Sequence, residues 1–384
     1  MTEREAWIAL AATSGVGDVT FGRLVALHGG AAAALAAVAG LPPGRADREV
    51  AGMTRTRPRA GLSRRLRAAA DDPRRVQREM DRLGGWLLTP LDPDYPGPLH
   101  AIEEPPPVLY GVGDPTLLLR PRLVAMVGTR RPAGIGRDLA TRIAARLVEA
   151  GVVVVSGLAR GVDGAAHLAT LEAGGHTVAV AGSGIDTPSP AGHRRLAARI
   201  AGDGAIVSEL GPGVRASQGT FPRRNRIISG LASATIVVEA PARSGALITA
   251  RHALEQGRQL LVAPGRPLDP WVAGNLALLR ESPARALVGL DEMIADLGLA
   301  ETSTSGESRD ALSAAGALSL LAPAQRSVAQ ALTQGPRSVD ALCRDTGLEA
   351  GVVAASLTML QLRGWARVHG AIQLPAGPLV RMDK

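Results

Sequence analysis

From residue 123 onward the chain alternates short, wholly apolar runs with longer amphipathic stretches. Half-exposed strands alternate apolar and polar residues, so unbroken runs of Val, Ile, Leu and Ala instead predict strands covered on both faces, as in a parallel sheet. The runs are Leu123–Val127, Val152–Val155, Thr177–Ala181, Ala205–Val207, Thr235–Val238 and Leu260–Ala263. Helical periodicity follows most of them, as over Arg137–Glu149 and Leu247–Glu255. This alternation predicts an α/β protein built on an extended, Rossmann-like, doubly wound parallel sheet.

Ligands of such sheets sit beyond the carboxyl ends of the strands. The residues just after the runs are therefore the candidates: Gly128, Thr129 and Arg130; Ser156 and Gly157, followed by Arg160; Gly182, Ser183 and Gly184; Ser208 and Glu209; Glu239; Ser244 and Gly245; Pro264 and Gly265. Small and hydroxyl side chains leave backbone N–H groups open to phosphate oxygens. A single glycine pair is an ordinary turn. Four in succession on one sheet edge, beside Arg130 and Arg160, predict an anion-binding groove.

The stretch FPRRNRIISGL, residues 221–231, adds charge and an aromatic ring at the start of a helix. Arg223, Arg224 and Arg226 are forked donors suited to phosphate. Phe221, one of only two phenylalanines in the chain, offers a stacking face to an unpaired base. Asn225 either contacts the ligand or holds the loop. A single strand of nucleic acid fits this set better than a duplex.

Composition sharpens that picture in some places and not in others. The 384 residues carry a formal charge of +8, and of the 43 basic residues only Lys384 is lysine. Between Arg45 and Arg82, twelve arginines face six acids, which makes that stretch either a solvated helical surface or an electrostatic footprint. One cysteine, Cys343, excludes an internal disulfide and a cysteine metal cluster. The acidic start MTEREAW and the short apolar run Ala31–Ala39 predict a soluble cytoplasmic protein with no membrane segment.

No strand is followed by GxGxxG, and the absence of lysine from this region excludes a P-loop; no cofactor or metal is expected. Asp163, His167, Ser208 and Glu239 show no catalytic spacing, and His167 reads as a hydrogen-bonded packing residue.

Four parts are expected along the chain. Residues 1–75 form a small helical domain in which SGVGDVTFGRLVALHGG resembles a helix-hairpin-helix or sterile-alpha-motif module, with Trp7, Leu10, Phe21, Leu24 and Leu27 as its core. Residues 76–298 hold the sheet, and 299–322, rich in Ser, Thr, Gly and Ala, form a flexible linker. Residues 323–384 show helical patterns over Gln325–Leu332, Val339–Arg344 and Ala350–Arg363 followed by a hairpin, the order of a winged helix. The expected reading helix carries only Ser356, Thr358 and Gln361 with a terminal Arg363, too little charge for strong duplex binding.

The segments VGTRRPAGIG (127–136), SGLARGVDGAAH (156–167), GSGID (182–186), FPRRNRIISGL (221–231) and SGALITA (244–250) together resemble the DprA/Smf family of DNA-processing proteins. The resemblance runs from the approach segment PLDPDYPGPL to about Leu297. It implies a protein without established catalysis that binds single-stranded DNA, forms homodimers and helps load the recombinase RecA in natural transformation. It places the basic pocket at Gly128, Thr129 and Arg130 and at Phe221 to Arg226. Thr129 stands where the family usually has serine, and Ile135 precedes Gly136 in place of tyrosine. Ser189, Pro190 and His193 replace an aromatic-containing pattern, and Ser217, Gln218 and Gly219 are neutral where a basic residue is usual.

Two other readings stand beside this one. A nucleoside monophosphate phosphoribohydrolase would carry PGGxGTxxE where this chain has APARSGALIT, with Ile248 and Thr249 near the place of the catalytic glutamate. A scaffold would use its arginines at a dimer surface.

Overall fold

The computed structural model describes residues 1–42, 46–55, 57, 60–299, 318, 321–334, 337–362, 365–369 and 372–375. They fall into two compact units, residues 1–301 and 302–384.

The first unit begins with six helices: α1 (Glu3–Ala11), α2 (Asp18–His28), α3 (Ala31–Ala39), α4 (Ala46–Thr54), α5 (Leu62–Asp71) and α6 (Arg75–Arg82). Thr2 and Glu5 form a capping box that fixes the start of α1. Leu10, Phe21, Leu24, Leu35, Val50 and Leu66 close the helical core, and Trp7 packs edge-on against Phe21 with ring centroids 4.8 Å apart. Leu27 departs from expectation: at 56% exposure it faces out, because the Leu24 face of α2 is the one that meets α3. The arginine-rich stretch is partly consumed in packing. Arg65 and Arg67 donate to the carbonyls of Ser14 and Leu41, and Arg74 pairs with Glu5.

The sheet has nine strands: β1 (Gly85–Leu88), β2 (Leu109–Gly113), β3 (Leu123–Val127), β4 (Val153–Ser156), β5 (Thr177–Val180), β6 (Ala205–Ser208), β7 (Ala234–Val237), β8 (Gln259–Val262) and β9 (Arg285–Ala286). Their order is β1-β2-β6-β5-β4-β3-β7-β8-β9. The run from β6 to β9 is parallel, and β1 and β2 add an antiparallel edge. All six expected strands are present, displaced by a residue at most. The three unforeseen ones lie toward the edges, where the apolar pattern is short or broken by glycine. On β2, Gly111 pairs with Trp86 of β1, and the indole lies over the glycine where a Cβ would stand 2.2 Å from the ring.

The period of two sorts β3 onto two cores. Leu123, Ala125 and Val127 face Ile227, Ile228, Ala246 and Ala250 from helices α11 (Thr220–Leu231) and α12 (Ala246–Glu255). Val124 and Met126 face Ala140, Ile143 and Leu147 of α8 (Gly134–Glu149) and Ala166 of α9 (Val162–Glu172). A short helix α7 (Gly97–His100) precedes β2, and a helix α10 (Arg194–Asp203) precedes β6. Among the described residues no single helix is long and apolar enough to cross a membrane.

The second unit packs helices Pro323–Thr333, Val339–Thr346 and Ala350–Leu362 around Val328, Leu332, Leu342, Val353, Leu357 and Leu360. Its hairpin, Ala366–His369 with Ile372–Pro375, pairs with the short strand Arg337–Ser338. The stretch expected as a linker, 299–322, lies largely outside the described residues, as does Arg363.

Candidate nucleic-acid interface

β3 is the strand at which the winding reverses, with β4 on one side and β7 on the other. Loops leaving β3 and β7 therefore part in opposite directions and open a crevice, the place where doubly wound sheets hold ligands. Here it is a cleft of about 550 Å³ lined by Val127 to Arg130, by Ala159 and Asp163, by Phe221, Arg224 and Asn225 of α11, and by residues of the β7–α12 turn, Arg243, Ser244 and Gly245 among them.

The loop after β3 is held by backbone bonds. Thr129 N–H donates to Glu239 O at 2.7 Å, and Thr129 O accepts from Val162 N–H at 3.2 Å. Gly128 permits this contact, since a Cβ there would stand 2.5 Å from the Val162 side chain. The Thr129 hydroxyl accepts from Arg131 N–H, which leaves Arg130 exposed at the rim. Its guanidinium lies over the Phe221 ring, 5.1 Å from the centroid. Glu239 is buried, and its carboxylate accepts from Ala133 N–H at 2.9 Å at the start of α8.

α11 divides its charged residues by depth, and here the expected roles need correction. Arg226 is not placed to meet a phosphate. It is buried, donates to Glu209 at 2.8 Å and to the carbonyls of Glu104 and Arg223, and so ties the approach segment to the sheet edge. Arg224 forms the cleft floor, donating from Nη1 to the carbonyls of Gly157 and Val180, while its buried Nε has no partner among the described residues. Arg223 pairs with Asp18 of α2 and with Glu209. Asn225 donates to Gly245 O at 3.3 Å, which ties α11 to the turn before α12.

Arg224 and Arg226, two residues and so about 200° apart around the helix, are buried on different sides of α11, Arg224 on the cleft floor and Arg226 against Glu104 and Glu209. One turn of α11 then sends Phe221 toward the rim and Arg224, three residues on, toward the floor.

The remaining expected residues split likewise. Ser244 and Gly245 line the cleft. Arg160 is exposed beside Ala159, just outside the lining. Ser156, Ser183 and Gly184 are buried; Ser156 donates to Met126 O and Ser183 to Thr187 O, so their hydroxyls hold loops rather than a ligand. Gly157 gives Arg224 and Asp163 their room, and Gly182 does the same for the Phe221 ring.

Sequence reading missed Arg243 and Asp163 as cleft residues. Arg243 was legible, being the residue directly before Ser244 in a loop already singled out. Asp163 was seen without a role. Burial raises its pKa to about 6, against the opposing pull of Arg224 and of the Ala159 and Ser156 hydrogen bonds. Burial likewise lowers Arg224 to about 10, with Asp163 resisting. His167 is a packing residue as expected. Its Nε2 accepts from Leu158 N–H and its Nδ1 meets the Thr177 hydroxyl, which itself donates to Val154 O, and burial lowers its pKa to about 3. The neutral ring holds Leu158 at a φ of 58° in the left-handed region.

Fold and cleft thus define a doubly wound α/β protein with a helical N-terminal domain, a winged-helix C-terminal domain and an arginine-rimmed crevice at the switch point of its sheet. Residues 86–298 match the family model described as DNA recombination-mediator protein A, residues 1–68 a DprA-like N-terminal HHH domain, and residues 313–371 a DprA winged helix domain. The chain belongs to the DprA family. It is 35% identical over 314 residues to Protein Smf of Synechocystis, covering 72% of this chain and 77% of that one. The X-ray structure of DNA processing protein A from Streptococcus pneumoniae matches with a TM-score of 0.64 at 32% identity, over 77% of this chain and 98% of that one. A Helicobacter pylori structure, whose title describes a single-stranded DNA binding mode of DNA processing protein A, matches at 0.51 with 30% identity, over 56% of this chain and 95% of that one.

Proposed function

We propose that the protein binds single-stranded DNA in the switch-point cleft and hands it to a recombinase. The observation that carries this reading is the pairing of exposed Arg130 with the Phe221 ring at the rim. It offers a cation to a phosphate and a flat apolar face to a base in one place. Arg243 and Arg160 extend the charge along the rim, and the floor arginine, Arg224, adds positive potential from a region of low dielectric. A cleft of about 550 Å³ suits one or two splayed nucleotides, not a duplex.

The homodimer and the transfer to RecA rest on the family resemblance and form part of this proposal. The C-terminal unit serves partner contact or regulation in it. A binding role is favoured over hydrolysis because Ile248 and Thr249 stand on the cleft wall, and the Glu239 carboxylate is committed to the start of α8. We expect release of neither base from nucleoside monophosphates nor phosphate from ATP.

The test is fluorescence anisotropy with a labelled oligothymidylate and a duplex of equal length across a salt series. Single-strand affinity should exceed duplex affinity and fall with a log–log slope of about −0.7 per phosphate contact. Equal affinity for both forms, or no salt dependence, overturns the reading.

A further inference from the structure

On the far side of the β3 loop from the proposed DNA cleft lies a second cleft, of about 590 Å³, between α8, α9 and α10. Arg137 of α8 stands on one wall, and Arg195 and Arg199 of α10 on the other. All three are exposed. The ion pairs on α8 join Arg142 to Asp138 and Arg146 to Glu149 and Asp291, and so leave Arg137 out. Glu172 is the acid on the lining.

The sequence of α10 explains the placement. In RRLAARIAGD, Ala197 and Ile200 are buried, which turns Arg195 and Arg199 outward together. Like charges four apart on a helix repel, and Arg137 adds a third across the gap. Among the described residues none of the three has an ion-pair partner, and such a trio around a concavity is an arrangement that an anion with several charged oxygens would relieve. Leu168, 38% exposed on α9, supplies an apolar wall beside them.

Only a thin ridge separates the two clefts. Gly161, which lines the second, sits so close to the first that a Cβ on it would stand 2.3 Å from Thr129 O and 2.8 Å from the Arg130 Cα. Arg131 and Arg160, both exposed, flank this crossing. An acidic protein segment could satisfy the charges alone, but the basic crossing directly joins this cleft to the proposed DNA site.

We propose that the α8–α9–α10 cleft is a second phosphate-binding segment, taken by the continuation of the same single strand after it crosses the Arg130–Arg160 ridge. The proposal rests on the reading of the first cleft as a single-strand site.

The experiment uses the full chain and homothymidine strands of increasing length, about 4 to about 16 nucleotides, the range of single-strand site sizes. Wild-type protein is compared with Arg195→Ala/Arg199→Ala and with Arg195→Glu. The shortest strands, held by the first cleft alone, should bind all three proteins equally. On the longest, the double variant should lose about five-fold in affinity per missing contact at ~0.1 M salt, roughly 25-fold in all, and its salt slope should shrink by about 1.4. The charge reversal should cost at least as much as a single lost contact, again only on long strands. Unchanged affinity of the variants for long strands overturns the second segment while leaving the first cleft standing. Equal losses at every length also overturn it, because they place these arginines at the first cleft. Failure of the wild type to bind any length overturns the single-strand reading itself, and this proposal with it.

Discussion

The switch-point cleft and the helix Ala350–Leu362 of the C-terminal unit both set polar side chains on a helix beside a turn, but they leave those groups in different states. Around the cleft, Arg130 and Arg243 are exposed, and Phe221 shows part of its ring. On the C-terminal helix, Ser356 is buried, Thr358 donates to Ala354 O at 3.0 Å, and Gln361 donates to Gln373 of the hairpin at 2.9 Å. Residues of the kind that read nucleic acid are thus consumed there by the domain's own structure. A side chain's chemistry indicates a ligand only once its internal partners are known, and the same lesson divides the arginines of α11.

The largest effect expected tests that division. Arg226→Ala leaves the Glu209 carboxylate, whose side chain is only 4% exposed, with Arg223 as its remaining ion-pair partner. Denaturant unfolding should show a loss of about 3 kcal/mol, whereas a phosphate-binding Arg226 would cost affinity and not stability. Next in size is Phe221→Ala, which should weaken single-strand binding by about 1–3 kcal/mol for every sequence tested, with the fold intact by circular dichroism. Arg130→Ala should reduce the salt slope by about 0.7, the signature of one lost phosphate contact.

A smaller effect comes from Asp163. With its pKa raised to about 6, the carboxyl is charged at pH 7 and neutral at pH 5, so the cleft floor gains one net positive charge as pH falls. Single-strand affinity should therefore rise across that interval, by an amount on the order of 1 kcal/mol. Asp163→Asn should bind at pH 7 as the wild type does at pH 5 and lose that component of the pH dependence. Comparison of the two proteins isolates this carboxyl from every other titrating group. The smallest effect is the other half of the contrast: removal of residues 320–384 should change single-strand affinity by less than about 0.5 kcal/mol. A larger loss in a folded truncation would make the C-terminal helix a DNA reader after all.

The sheet was legible because its strands are buried on both faces and so read as unbroken apolar runs, and β3 to β8 fall where those runs lie. β1, β2 and β9 were not, since GWLL and LYGVG owe their pairing to a tryptophan laid across a glycine on the neighbouring strand, a relation with no local signal. The cleft was legible in outline from the loops after β3 and β7. Depth was not: Arg224 and Arg226 look identical to Arg223 in the sequence, and only the direction of the α11 start and the position of Glu209 decide which are covered.

The Glu239 carboxylate at the start of α8 bears on a different matter, what occupies the end of that helix. Dinucleotide-binding sheets use the end of their first crossover helix to seat a pyrophosphate. Here Glu239 accepts from Ala133 N–H, and a Cβ on Gly136 would stand 2.0 Å from its Oε2, so a side chain of the protein itself already occupies that seat. Gly136 thus makes room for the protein's own side chain rather than for the close approach of a ligand, a different use of the same small residue.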